Sequence, residues 1–366
     1  MKVLIAGGGT GGHLFPGIAL AEEVVTRHHA NDVLFVGTER GLEARAVPRA
    51  GFRLETIDAT GVKGRGLAGW VGGLLRVPRA IAQSMRILRA WRPDVVVGVG
   101  GYASFPVVMA AWIAGIPTAI QEQNALPGLT NRVLGRIVRA VFVAFDEARA
   151  FFPEEKVQNV GNPIRKALME NFLRPRARHE RFQLLIFGGS QGAHAINVAA
   201  VEAAKRLGDL RDRIEILHQT GRQDIEETRA GYEAAGVRAE VVEFIDDMSS
   251  AYARSDLVIC RSGATTLAEL TVCKKAAILV PFPHAADNHQ EVNARALVEK
   301  GAAVMIRQQE LSGERLAAEI RALVEDPERR QRMERAAGLL GRPEAAKEIA
   351  DVCVQLVYRG REQGAG

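Results

Sequence analysis

The chain is poor in aromatic residues, which make up 5% of it, and it has only three cysteines. Cys260, Cys273 and Cys353 are an odd number at no metal-binding spacing. They exclude a disulfide framework and a zinc cluster, and read as small core residues of a protein in a reducing compartment. Long hydrophobic runs are also missing. The longest apolar stretch, Val107 to Ile116, stops at Pro117 and is too short to span a bilayer. Glycines from Gly7 to Gly12 interrupt the N-terminal apolar run before a secretory signal can form. No G-x-x-x-x-G-K-[ST] phosphate loop, no serine nucleophile elbow and no D-x-D triad is present. Any diphosphate bound here must therefore be met by Arg165, Arg261 and helix N-termini rather than by a cation. No cofactor and no metal are expected.

What is present is glycine, 37 of 366 residues, in a chain that is 47% hydrophobic and 25% charged. This is a globular composition, too long for one ordinary core, and it predicts two domains. The net charge of +5 favours acidic ligands without naming one. Strands are expected at Lys2–Ala6, Asp32–Val36, Arg53–Ile57, Val95–Val99, Thr118–Ile120 and Ala140–Val143, separated by helical patterns. The pattern restarts at Gln183–Phe187 and continues through Glu215–Gln219, Ala239–Phe244, Leu257–Cys260, Ala277–Pro281 and Ala303–Ile306. Alternation of this kind means right-handed crossovers and parallel sheets. The reading is an α/β chain of two Rossmann-like domains, residues 1–162 and 163–340, whose sheets face a central cleft. Residues 341–366 add a terminal helix to about Tyr358 and a frayed tail.

Ligands of open parallel sheets bind beyond the carboxyl ends of the strands, and the polar motifs fall there. Gly7, Gly9 and Gly12 satisfy G-x-G-x-x-G after a strand and before a helix. The acid that a dinucleotide site wants is late, with Glu39 the nearest. Thr10 and His13 sit at the helix N-terminus, where backbone N–H groups favour an anion; the alternative is tight strand-to-helix packing. Gly100, Gly101 and Tyr102 close another strand. The polar run Gln121–Asn124 then opens Q-E-Q-N-A-L-P-G-L-T-N-R and reads as ligand-facing, or else as an ordinary loop. In the second half, Ser190 and Gln191 in G-G-S-Q-G-A suit a phosphate. Arg261 in C-R-S-G-A-T-T-L-A-E-L suits a diphosphate, and Glu269 can accept two hydrogen bonds from a ribose diol. His284, Asp287, Asn288, His289, Gln290 and Asn293 cluster after a strand and are candidates for sugar hydroxyls. Between Gly61 and Arg92 lie seven basic residues (Lys63, Arg65, Arg76, Arg79, Arg86, Arg89 and Arg92) and no acid, interleaved with apolar positions. That pattern suits an anionic membrane surface or a sheet-packed helix with a solvated basic face.

G-G-T-G-G-H, G-G-Y-x-S, E-Q-N-A-x-P-G-L-T-N-R, G-N-P-I-R, G-G-S-Q-G-A, F-I-D-D-M, R-S-G-A-x-T-x-x-E and H-A-A-D-N-H-Q-x-x-N-A occur in this order. Together they resemble the undecaprenyldiphospho-muramoylpentapeptide β-N-acetylglucosaminyltransferases, the lipid II-forming enzymes of bacteria. The resemblance runs from Lys2 to about Ile306. It implies a GT-B fold, with the terminal helix returning to the N-domain. It implies an inverting, metal-independent transfer of GlcNAc from UDP-GlcNAc to the C4 hydroxyl of MurNAc in lipid I, on the cytoplasmic face of the inner membrane. No nucleic acid is among the implied partners. By motif, Ile245 meets uracil through its backbone, Ala264, Thr265, Thr266, Leu267, Ala268 and Glu269 line the nucleotide, and Ser190 takes a phosphate. Gln290 and His289 take the GlcNAc, Asn124 and Arg165 are further donor contacts across the cleft, and Thr10, Gly11 and Gly12 lie beneath the sugar. His13 is the implied general base, with Glu122 and Tyr102 as rivals. Two positions depart from the family pattern. Gln121 stands where a histidine is usual and cannot titrate. Phe105 stands where a glycine is usual and either narrows the acceptor side or joins an apolar membrane patch. Two other readings remain open, an NAD-dependent oxidoreductase built on the first glycine loop and a non-enzymatic membrane-surface scaffold.

Overall fold

The computed structural model describes residues 1–59, 66–172 and 180–364. The chain divides into two compact units, Met1–Arg165 with Arg342–Gly366, and Lys166–Gly341. Among the described residues the first unit carries β1 (Lys2–Gly7), β2 (Asp32–Gly37), β3 (Arg53–Thr56), β4 (Val95–Gly100), β5 (Thr118–Glu122), β6 (Ala140–Val143) and β7 (Val157–Asn159). They pair in the order β3-β2-β1-β4-β5-β6-β7, every pair parallel. The second unit carries β8 (Phe182–Phe187), β9 (Ile214–Gln219), β10 (Ala239–Val242), β11 (Leu257–Cys260), β12 (Ala276–Leu279) and β13 (Val304–Met305). Their order is β10-β9-β8-β11-β12-β13, again all parallel.

The central strands are runs of Val, Ile and Leu because both faces are covered by helices. In register, Ile5 opposes Phe35 on one side and Val97 on the other, and Leu185 opposes Val258. Val3, Ile5, Val97 and Phe35 point to one face, where they pack with Leu14, Ile18 and Val24 of the helix Gly11–Arg27. The same core takes Ile349, Ala350, Cys353 and Leu356 from the last helix, Ala345–Gly364. Arg27 ties the two helices with Nη1 on Asp351 at 2.6 Å and Nη2 on the Lys347 carbonyl at 2.8 Å. That last helix runs to Gly364, past Tyr358, where a frayed tail was expected. All three cysteines are buried and none forms a disulfide.

Strand order reverses between β1 and β4 in one sheet and between β8 and β11 in the other. These are the topological switch points, where crossovers leave in opposite directions and open a crevice at the strands' carboxyl ends. Each switch point receives a glycine loop. β7 was not expected, being three residues long and too short to show a period. β10, β12 and β13 end before the expected Phe244, Pro281 and Ile306. β5 continues through Gln121 and Glu122, which places the start of the polar run inside the sheet.

Candidate active site

At the first switch point the loops after β1 and β4 interlock. A Cβ on Gly7, whose φ is +142°, would lie 2.1 Å from the Gly100 carbonyl oxygen. A Cβ on Gly8, at φ +144°, would meet the Glu43 carboxylate at 2.5 Å. These two glycines are therefore required by protein neighbours. Gly9, by contrast, borders open space, and a Cβ on Gly12 would meet only Thr10 Oγ1, at 3.9 Å. Glu43 takes the Gly9 N–H at 2.7 Å and the Thr38 N–H and hydroxyl at 2.9 and 2.8 Å. Burial opposes its ionisation, yet those hydrogen bonds hold its pKa below the ordinary carboxylate value. A carboxylate seated on the Gly9 N–H takes up a donor that a dinucleotide's pyrophosphate would use. The acid engaged with this loop is Glu43 rather than Glu39.

His13 lies on the first turn of the helix Gly11–Arg27, whose N-cap is Thr10. Its ring packs over Gly100, where a Cβ would come within 2.7 Å of Nδ1. Nδ1 is 2.9 Å from Gln123 Oε1. Arg165 stacks over Phe15 at 5.4 Å, and Phe15 borders Gly11, so Arg165 reaches the rim of this loop. Tyr102 is 58% exposed, and its hydroxyl is held by no hydrogen bond among the described residues.

The polar run corrects two expectations. Gln121, Glu122 and Gln123 are each 1% exposed and engaged with protein. Glu122 Oε1 accepts from Asn124 N and Nδ2, and Oε2 accepts from Gly128 N and Asn131 Nδ2. A carboxylate buried under four N–H donors organises the Asn124–Asn131 loop and is not placed to take a proton from a substrate. Asn124, turned back onto it, is a loop residue that remains half-buried at the rim. Phe105 is partly buried and packs against the core of the first unit.

At the second switch point Gln219 Nε2 donates to the Gly189 carbonyl at 3.0 Å and braces the loop after β8 from beneath. Ser190 and Gln191 stay exposed on its outer side. The helix Ala264–Val272 starts beyond β11. Ala264 and Leu267 turn their side chains into the core, so only their backbone can meet a ligand, while Thr265, Thr266, Ala268 and Glu269 are half-buried on the other face. Tyr252, wholly buried, donates its hydroxyl to Glu269 Oε2 at 3.0 Å. Burial and the Glu269 charge push the Tyr252 phenol well above its usual pKa, and they do the same to the Cys260 thiol. Ile245 follows β10, next to Asp247, which caps the following helix through Ser250 N at 3.0 Å. Hydrogen bonds from the hydroxyls of Ser249 and Ser250 lower the Asp247 pKa to about 2.

Arg261 and Asn293 are corrected here. Arg261 Nη1 donates to the carbonyls of Val280 and Pro281, both at 3.1 Å, and Nη2 to Gln308 at 2.6 Å. Its guanidinium also stacks over Phe282 at 5.3 Å. It is a clamp on the loop after β12, not an open diphosphate ligand. Asn293 is fully buried and donates to the Ser262 carbonyl at 3.4 Å. In the loop that Arg261 clamps, Asp287 and Asn288 both hold positive φ, 53° and 55°. Two successive left-handed non-glycine residues are backbone strain of the kind that collects at ligand sites. The strain turns the chain so that His289 and Gln290 begin the helix His289–Glu299. Gln290 Oε1 accepts from Phe282 N at 3.0 Å, so its NH₂ is the end it presents.

The sequence description of the glycosyltransferase family 28 N-terminal domain matches residues 3–143, and that of the C-terminal domain matches residues 183–349. A transferase of Myxococcus xanthus is 66% identical over 99% of this chain and 96% of its own length. The chain belongs to glycosyltransferase family 28. The Myxococcus protein is named UDP-N-acetylglucosamine–N-acetylmuramyl-(pentapeptide) pyrophosphoryl-undecaprenol N-acetylglucosamine transferase. A relative of the same name from Anaeromyxobacter is 65% identical over the whole chain and 96% of its own length. Among solved structures, MurG of Acinetobacter baumannii superposes with a TM-score of 0.80 at 31% identity, over 97% of this chain and 99% of that one. The two parallel-sheet units are the GT-B fold. Within this family 28 chain, sequence reasoning missed Glu43 and Gln123 as organisers of the first rim. Glu43 carries no motif signal. Gln123 lies inside a quoted motif, and its burial was the missing information.

Proposed function

We propose that the chain transfers GlcNAc from UDP-GlcNAc to the C4 hydroxyl of MurNAc in lipid I, with inversion, giving lipid II. The observation that carries this reading is the near-full-length identity to transferases whose name states that donor and that acceptor. The site geometry supports it, since the two switch points offer different chemistry. The second unit presents Glu269 for the ribose, the Ile245 backbone for uracil, Ser190 and the N-terminus of the helix Ala264–Val272 for the diphosphate, and His289 with Gln290 for the sugar. The first unit presents Thr10, Gly11 and Gly12 with His13, and Arg165 and Asn124 at the rim. A sugar hydroxyl is a weak nucleophile near neutrality. His13 removes its proton as the oxygen attacks the anomeric carbon from the face opposite UDP. The C–O bond to the diphosphate then breaks, and UDP leaves with the electron pair. The test is transfer of radiolabelled GlcNAc to a short-chain lipid I analogue, with UDP measured in parallel. A labelled disaccharide lipid in step with UDP is expected. Heat of binding with NAD and none with UDP-GlcNAc would overturn the assignment.

The same reading places the chain peripherally on the cytoplasmic face of the inner membrane. No helix among the described residues is long and apolar enough to cross a membrane. The basic segment is the helix Gly66–Trp91, and Lys63 and Arg65 lie outside the described residues. Ala80, Ser84 and Leu88 face the core, whereas Arg79, Arg86, Arg89 and Arg92 are exposed. Beside them Trp112 and Ile113 are exposed, and a cavity of about 340 Å³ is lined by Met85, Leu88, Arg89, Ile113, Ala114 and Ile116. Basic and apolar groups together suit an anionic headgroup layer, at about 1 kcal/mol per cation. Reversing Arg79, Arg86 and Arg89 to glutamate is expected to weaken binding to phosphatidylglycerol vesicles by about a hundredfold or more. Unchanged sedimentation with the vesicles would remove the membrane assignment and leave the transferase one intact.

A further inference from the structure

The His13 ring is not alone at the end of its hydrogen bond. Gln123 Nε2 donates to the Val99 carbonyl at 2.9 Å and to Gln121 Oε1 at 3.0 Å. Gln121 Nε2 donates to Asn162 Oδ1 at 2.8 Å. The run His13–Gln123–Gln121–Asn162 therefore joins the loop after β1 to the end of β5 and to the segment beyond β7, and its three amides are buried. Asn162 Nδ2, without a partner among the described residues, ends it.

An amide can be turned about, so the run has two formal directions. One feature selects between them. Val99 O is a backbone carbonyl and can only accept. Were Gln123 reversed, its carbonyl oxygen would lie 2.9 Å from that oxygen, two acceptors in contact. Gln123 must therefore aim its NH₂ at Val99, and this leaves Oε1 facing His13. An acceptor opposite Nδ1 requires a proton on Nδ1. The remaining ring nitrogen, Nε2, then carries the lone pair in the neutral imidazole. Gln121 is an amide that cannot ionise and cannot exchange tautomers, so the second link is as fixed as the first.

We propose that Gln123, anchored by Val99 and backed by Gln121 and Asn162, is a positioning residue that sets the tautomer of His13. It holds the ring over Gly100 with Nε2 as the basic atom. This inference rests on the reading of His13 as the general base, but its direct observable, the site of the ring proton, does not depend on the reaction. A histidine held in the wrong tautomer hydrogen-bonds with the wrong partner and loses most of its catalytic value.

The test is long-range proton–nitrogen NMR on the full chain labelled with ¹⁵N-histidine, at about pH 8, above the ordinary imidazole pKa. His13 is assigned by the signals lost in His13→Ala. The expected wild-type spectrum has a protonated Nδ1 and a lone-pair Nε2. In Gln123→Leu the population moves toward the Nε2–H form. The kcat of that variant falls about ten- to a hundredfold, as for a misplaced catalytic group, while KM for UDP-GlcNAc holds. A wild-type His13 in the Nε2–H form overturns the proposal without need of any variant. So does a folded Gln123→Leu chain with unchanged tautomer and kcat. Intact turnover in His13→Ala is a separate result: it removes the base assignment and leaves the measured tautomer standing.

Discussion

Replacing His13 with alanine lowers kcat about a hundred- to ten-thousandfold, the range expected for loss of a general base, and leaves KM for UDP-GlcNAc nearly unchanged. The sugar hydroxyl must lose its proton as the new bond forms, and UDP is a good leaving group, so the demand falls on the base rather than on an acid. His13 is half-buried at a loop rim, and Nδ1 is already committed to Gln123 at 2.9 Å. Its removal leaves the buried Gln123 Oε1 without that donor, so a modest fall in melting temperature is expected beside the loss of kcat. The rivals behave differently. Glu122→Ala frees four N–H donors of the Asn124–Asn131 loop, two of them on the buried Asn131 side chain and Gly128 backbone, and is expected to lower stability as well as activity. Tyr102→Phe removes a hydroxyl that no neighbour among the described residues holds and is expected to change kcat little. Steady-state kinetics with a lipid I analogue, paired with thermal melts, separates the three. Full turnover by folded His13→Ala would end the base assignment.

Most of the architecture was legible because it rests on local signals. Runs such as Val95–Val99 and Leu257–Cys260 are buried on both faces and can be little else than central parallel strands. Glycine turns after β1 and β8 mark the switch points, and the motif order fixes the family. What was not legible is the partner of each polar group. The Gln121–Asn124 run looked ligand-facing because a sequence does not say whether an amide meets substrate or protein. All four of its residues hydrogen-bond to protein, and three are buried. Arg261 looked available for a diphosphate, yet the loop after β12 takes its guanidinium. The same holds for the opening G-G-G-T-G-G-H. Gly7 and Gly8 answer to Gly100 and Glu43, contacts distant in sequence, and even Gly9 and His13 are engaged by Glu43 and Gln123. Buried braces and exposed ligand groups draw on the same residue types, and only tertiary packing separates them.

Glu269→Ala is expected to raise KM for UDP-GlcNAc about a hundredfold with little change in kcat. Two hydrogen bonds from a ribose diol to one carboxylate account for roughly 2–3 kcal/mol of donor binding. The ribose is remote from the reacting bond, so the contact is equal in ground and transition states and falls on KM. Alanine has a second effect that must be kept apart. It leaves the Tyr252 hydroxyl, which is wholly buried and donates to Glu269 Oε2 at 3.0 Å, without an acceptor, a cost of about 1–3 kcal/mol in stability. Glu269→Gln separates the two, because its amide oxygen still accepts from Tyr252. That variant is expected to melt like the wild type and to show a smaller rise in KM, about tenfold, since the amide keeps one acceptor oxygen, shared with Tyr252, where the carboxylate has two. The decisive comparison uses UDP-GlcNAc lacking the ribose 2′-hydroxyl. The wild type should bind this donor more weakly than the parent, and Glu269→Ala should scarcely distinguish the two, which is the coupling a double-mutant cycle measures. Equal discrimination by both proteins would place the ribose elsewhere and remove Glu269 from the donor site.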